Sequence, residues 1–229
     1  MVYDLLFAKD KNLVVLIDPD KITNDIITAL SDSKLNSKLN AIFIGGSLVM
    51  SDTGEIAKQI KDATGLPLIL FPGNLSQINK HVDALLFLSL ISGRNPEFLI
   101  GQHVTAAPII KNLNLETIPT GYMLFDCGSI NSVRYMSATM PLPNNKPDLA
   151  IATAIAGEML GLKALYLEAG SGASTPVSLE IIKAIRSNVS IPIIVGGGIK
   201  TKEQMEQIYD AGANLIVIGT AFENTNQIP

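Results

Sequence analysis

The sequence predicts a modified (β/α)8 TIM barrel with a reduced third helix. Eight short apolar runs are spaced along the 229 residues, stretches of helical periodicity separate most of them, and several of the runs end in glycine. An open doubly wound sheet is the alternative arrangement of the same units.

The runs are NLVVLID at 12–18, NAIFIGG at 40–46, PLILFPG at 67–73, DALLFLS at 83–89, IPTGYMLFD at 118–126, KALYLEAG at 163–170, IPIIVGGG at 191–198 and NLIVIGTA at 214–221. Most are apolar at successive positions, as strands covered on both faces of a parallel sheet are. Helices are expected at 51–65, 96–113, 148–161, 178–188 and 201–213, several opening on Ser, Thr or Asp and closing on Gly. Between the third and fourth runs, NLSQINKHV leaves room for two helical turns at most, so the third helix is expected to be missing or shrunken. After the eighth run, FENTNQIP is too short for a closing helix.

No linker or compositional break divides the chain, so residues 1–229 are expected to form one domain. Hydrophobic residues make up 47% of the chain and mean hydropathy is +0.33, which supplies a sizeable core. No apolar run approaches the roughly 20 residues of a membrane span. A net charge of −4 and the absence of a Lys/Arg cluster argue against nucleic acid. The N-terminal MVYDLLFAKDKN lacks a signal-peptide core, and a single cysteine, Cys127, rules out an internal disulfide framework. Both point to the cytoplasm. Cys127 reads as a bland small residue, and His81 and His103 show no metal-ligand spacing.

In such a barrel the strand C-termini form the active face, and the loops after the last strands often seat phosphate. Three glycine-bearing ends lie there: EAGSGAS at 168–174, GGGIKT at 196–201 and GTA at 219–221. Glycine lets backbone N–H groups approach a phosphate closely. Isomerases, epimerases, aldolases and flavin mononucleotide enzymes all use such loops, although Lys163 sits at the wrong end of its strand for a Schiff-base aldolase. Early in the chain, LIDPDK brings Asp18 and Asp20 and FIGGS brings Ser47 to the same rim. Carboxylate and hydroxyl together suit Mg²⁺, while spacing alone equally allows them to be loop and helix caps.

LIDPDK, FIGGS, SGRNPEFLIGQ, SVRYMSATMPLP, YLEAGSGAS, GGGIKT and GTAFE, in this order and spacing, resemble the geranylgeranylglyceryl phosphate synthase family. Members of that family are prenyltransferases on a modified (β/α)8 barrel, and the resemblance covers essentially the whole chain. It implies that Asp18 and Ser47 bind Mg²⁺. It also implies that Tyr166, Leu167, Glu168, Ala169, Gly170, Ser171 and Gly172, with Gly197, Gly198, Gly219 and Thr220, enclose sn-glycerol 1-phosphate. Leu16 and Ala169 stand where the bacterial heptaprenyl branch carries lysine and tyrosine, so the chain resembles the archaeal-type branch. The polyprenyl diphosphate partner is then expected to be geranylgeranyl diphosphate. A homo-oligomer and peripheral membrane contact for the lipid product are further expectations of the resemblance.

Within that reading Glu168 orients the acceptor hydroxyl or takes its proton, and Tyr166 hydrogen-bonds the phosphate or the same hydroxyls. The competing role for Glu168 is an N-cap or a salt bridge to Lys200. Lys21 and Arg94 are candidates to meet the diphosphate, and Phe87, Leu88, Ile91, Phe98, Tyr122, Tyr135 and Met136 are candidates to line a prenyl trough. The rival functions are a flavin mononucleotide oxidoreductase barrel and a non-catalytic phosphate-ligand barrel.

Overall fold

The apolar runs become strands in the computed structural model of the protein, which describes residues 1–128 and 132–229. They are β1 (Asn12–Ile17), β2 (Ala41–Ile44), β3 (Leu68–Leu70), β4 (Ala84–Ser89), β5 (Glu116–Asp126), β6 (Ala164–Glu168), β7 (Ile193–Gly196) and β8 (Leu215–Ile218). Consecutive strands pair in parallel. The last also pairs with the first, Asn12 opposite Leu215, so the sheet closes into a barrel and is not an open doubly wound sheet. Closure gives each of the eight barrel strands a partner on both edges. A two-residue strand, Leu142–Pro143, extends the pairing beside the end of β5.

Side chains alternate between two apolar layers. Val14, Phe43, Ile69, Leu86, Tyr166 and Ile194 fill the barrel interior. Val15, Ile44, Leu70, Leu85, Leu167 and Val195 point outward to the helices. The strand period of two is therefore present but invisible in the sequence, because both faces are buried.

The helices are α1 (Val2–Leu6), α2 (Asn24–Ser31), α3 (Ser33–Asn36), α4 (Thr53–Thr64), α5 (Gln102–Leu113), α6 (Ser132–Ser137), α7 (Pro147–Met159), α8 (Leu179–Arg186), α9 (Lys202–Asp210) and α10 (Thr220–Thr225). Side-chain oxygens of Asp52, Ser178 and Thr201 cap α4, α8 and α9 as their sequences suggest. α1 closes the N-terminal mouth of the barrel: the Val2 and Tyr3 N–H groups donate to the Glu116 carboxylate at 2.7 and 2.9 Å, and Leu6 packs into the interior. The C-terminal face stays open.

Between β3 and β4 the chain makes a three-residue 3-10 turn, Leu75–Gln77, in place of a full helix. Gln77 is buried and does by side chain what a helix would do by packing. Its Nε2 donates to the Gly46 carbonyl at 2.7 Å and its Oε1 accepts from the Gly73 N–H at 3.3 Å, tying the β2 and β3 loops together. At the other end of the chain the expectation of no closing helix is corrected. β8 stops at Ile218, Gly219 turns the backbone to φ −106° and ψ −96°, and the six-residue α10 begins at Thr220, inside the predicted strand. Among the described residues no helix is long and apolar enough to cross a membrane. Cys127 is buried, which pushes its thiol up to about 12 and leaves it inert.

Candidate active site

A cavity of about 610 Å³ opens at the C-terminal ends of the strands, within the usual range for small-ligand sites. Asp18 follows β1, Ser47 follows β2, Glu168 ends β6, Gly197 and Gly198 follow β7, and Gly219 and Thr220 follow β8; all of these line it.

One end is built from the glycine loops. Inward register along β6 carries Tyr166 and Glu168 to the cavity, while Leu167 and Ala169 face the outer layer and have only their backbone to offer. The buried Glu168 accepts a hydrogen bond from the Gly170 N–H at 2.5 Å. Ser171 Oγ lies 3.3 Å from Thr220 Oγ1, so the loops after β6 and β8 meet. Lys200 donates to the Ser174 carbonyl at 3.2 Å and Glu168 caps no helix, which removes both competing roles for this carboxylate. Gly197 has a φ of +84°, and a Cβ there would lie 2.7 Å from both Glu168 Oε1 and the Gly170 carbonyl oxygen. Gly197→Ala is therefore expected to cost about 1–3 kcal/mol of stability, measurable by thermal unfolding.

Burial pushes the Glu168 carboxyl up from 4.5 to about 6, with the Gly170 N–H and the Tyr122 and Tyr166 phenols pulling it part of the way back. The two tyrosine rings stack at 5.4 Å, and Phe71 stacks on Tyr166 at 5.0 Å. Burial, reinforced by the Glu168 charge, pushes both phenols well above their usual range, so they remain hydrogen donors on the cavity wall. The result is a carboxylate that is ionised at neutral pH yet basic enough to take a proton.

The other end is built from the first two loops. Asp18 Oδ1 accepts from the Asp20 N–H at 3.1 Å. Asp20 itself turns away: its carboxylate accepts the Met50 and Ser51 N–H groups at 3.0 and 2.8 Å, so its task is to fasten one loop to the other. Lys21 Nζ lies 3.3 Å from Asp18 and 3.1 Å from Glu223. Burial alone would lower the Lys21 ammonium, but those two carboxylates outweigh it and hold it above its usual value.

Asp18 and Ser47 both line the cavity, and their carboxylate and hydroxyl are donor types compatible with Mg²⁺. Among the described residues no group of three His, Cys, Asp or Glu could hold a metal. One carboxylate and one hydroxyl, completed by water and phosphate oxygens, is a donor set for Mg²⁺ rather than for zinc.

A third, apolar part runs outward through the gap left by the reduced helix. Leu75, Ile78, Leu85, Phe87, Ala106 and Ile110 line it, several of them from the outer layer that a full helix would have covered. The buried His103 also faces it, edge-on to Phe87 at 4.4 Å and 3.3 Å from Ser89 Oγ. Of the candidates read from sequence, Phe87, Leu88, Phe98, Tyr122 and Met136 are on the wall. Ile91 instead packs beside Gly121 and Gly157, Tyr135 is 81% exposed off this cavity, and Arg94 donates to the Gly93 carbonyl.

The chain matches the model of the PcrB family over residues 6–228. It belongs to that family. It is 53% identical over 215 residues to the geranylgeranylglyceryl phosphate synthase of Flavobacterium johnsoniae, covering 93% of this chain and 88% of the relative. To the archaeal enzyme of the same name from Pyrococcus abyssi it is 41% identical over 218 residues, 93% of this chain and 85% of that one. The crystal structure of (S)-3-O-geranylgeranylglyceryl phosphate synthase from Thermoplasma acidophilum in complex with sn-glycerol-1-phosphate aligns with a TM-score of 0.91 at 30% identity, covering 98% of this chain and 92% of that chain. This PcrB-family chain is thus an enzyme of the prenyltransferase class, and its resemblance extends to the archaeal branch.

Proposed function

We propose that this PcrB-family enzyme forms an ether bond between the primary hydroxyl of sn-glycerol 1-phosphate and geranylgeranyl diphosphate, releasing diphosphate. One observation carries the proposal: a single cavity gathers the glycine loops and Glu168, the Asp18 and Ser47 oxygens, and an apolar wall. The names of the relatives and the ligand of the Thermoplasma protein support the choice of substrates.

The loops at Gly170–Gly172, Gly197–Gly198 and Gly219–Thr220 seat the acceptor phosphate through backbone N–H groups and the Ser171 and Thr220 hydroxyls. Holding the phosphate there tethers the glycerol hydroxyl near Glu168, and such tethering removes much of the entropic barrier. The hydroxyl oxygen bonds to the allylic carbon, the carbon–oxygen bond to diphosphate breaks, and the bonding pair leaves with the diphosphate. Glu168 accepts the hydroxyl proton. When bound by Asp18 and Ser47, Mg²⁺ supplies charge neutralisation for the leaving diphosphate. Lys21 adds a second positive charge on the same side.

Removing Mg²⁺ with a chelator is expected to abolish product formation, and adding Mg²⁺ back is expected to restore it; full turnover in excess chelator would overturn the metal reading. The trough makes a separate prediction. Ala106→Phe is expected to raise the KM for the prenyl donor on the order of tenfold, leaving the acceptor KM unchanged in steady-state kinetics.

A further inference from the structure

Glu223 belongs to none of the glycine loops and to neither metal position, yet its side chain is only 8% exposed and lies on the cavity wall. Oε1 accepts the Asp18 backbone N–H at 3.1 Å, and Oε2 accepts from Lys21 Nζ at 3.1 Å. The same ammonium is 3.3 Å from Asp18 Oδ2. Two carboxylates thus share one cation, and one of the two is the proposed metal ligand.

We propose that Lys21 is the resident counter-cation of the Asp18 carboxylate, and that Glu223 draws it aside so that metal and diphosphate enter together. The proposal rests on Asp18 being a Mg²⁺ ligand. An ammonium and a dication on one carboxylate repel each other strongly in a partly buried site. Of the groups involved, Lys21 is the one free to move, since its charge rides on a flexible four-carbon stem. Glu223 is held by the Asp18 backbone and stays in place to receive the displaced ammonium. An incoming diphosphate then finds two cations, and each makes the other easier to accommodate. Lys21 and Glu223 are positioning residues in this scheme, and metal without diphosphate binds against an opposing charge.

Mn²⁺ binding to the full chain, followed by the electron paramagnetic resonance signal of the free ion with and without inorganic pyrophosphate and referred to the same Mn²⁺–pyrophosphate mixture without protein, tests this. Wild-type protein is expected to bind Mn²⁺ weakly alone and more tightly with pyrophosphate. Lys21→Met, at a half-exposed position that preserves folding, is expected to bind Mn²⁺ alone about tenfold tighter and to lose most of the pyrophosphate enhancement. Glu223→Gln, with its fold checked by circular dichroism, is expected to bind Mn²⁺ alone more weakly than wild type. Static charges alone would also shift the two variants in opposite directions, so the deciding readout is the pyrophosphate enhancement, which fixed charges would leave in Lys21→Met and the displacement scheme removes. Wild-type affinities in both variants, or weaker Mn²⁺ binding in Lys21→Met, would overturn the inference while leaving the metal site intact. No Mn²⁺ binding by the wild type would overturn both.

Discussion

Glu168→Gln is expected to lower turnover by about 10²–10⁴-fold, the usual contribution of a positioned acid or base, with the fold and acceptor binding preserved. Glutamine keeps an oxygen to accept the Gly170 N–H, so the β6 loop has no reason to move. What is lost is the proposed proton acceptor. The same carboxylate sets a pH dependence: with its ionisation near 6, kcat/KM is expected to fall about tenfold per unit below pH 6, and the glutamine variant's residual rate should lack that limb. Stability moves the other way. Because the folded-state value is raised above 4.5, the carboxyl's favourable contribution is complete below pH 4.5 and is lost as pH rises through about 6. At pH 7 the buried charge costs about 2 kcal/mol, so Glu168→Gln should melt at the same temperature as wild type or higher. A glutamine variant that turns over normally would remove Glu168 from the mechanism.

Asp18→Asn is the second large effect. It keeps the shape of the side chain and its acceptance of the Asp20 N–H, so the β1 loop should hold. The full charge that attracts a dication is gone, and Lys21 retains only Glu223 as a counter-charge. Turnover at low millimolar Mg²⁺ is expected to drop about 10²-fold or more, with partial recovery at high Mg²⁺. Calorimetric titration of sn-glycerol 1-phosphate should be little affected, since the Asp18 side chain bonds to Asp20 and Lys21 and to none of the proposed acceptor loops. A loss confined to acceptor binding would place Asp18 in the wrong half of the site.

Much of the fold was legible because strands buried on both faces leave uninterrupted apolar runs, and all eight runs became barrel strands. The reduced third helix could be read from the length of a loop. Closure of the barrel was expected from the count of eight units, whereas the pairing that makes it, Asn12 with Leu215, could not be read from the runs. At the site, Glu168 stood out as a charge ending an apolar run, but its inward orientation follows from register with Tyr166 and not from the run itself. The trough was hidden because Leu85 and Ile110 look like ordinary outer-layer residues until the missing helix uncovers them. Glu223 was hidden by distance along the chain: it lies in a tail that looked too short for a closing helix, and its partners Lys21 and Asp18 are 202 and 205 residues away. Arg94 and Tyr135 misled because their proximity to family motifs says nothing about the direction of their side chains.

The most direct measurement is product analysis by mass spectrometry after incubating the purified protein with sn-glycerol 1-phosphate, Mg²⁺ and prenyl diphosphates of graded length. The proposed function predicts one prenyl ether of glycerol phosphate, formed fastest from geranylgeranyl diphosphate and with one diphosphate released per ether. Absence of an ether from every donor would contradict the account.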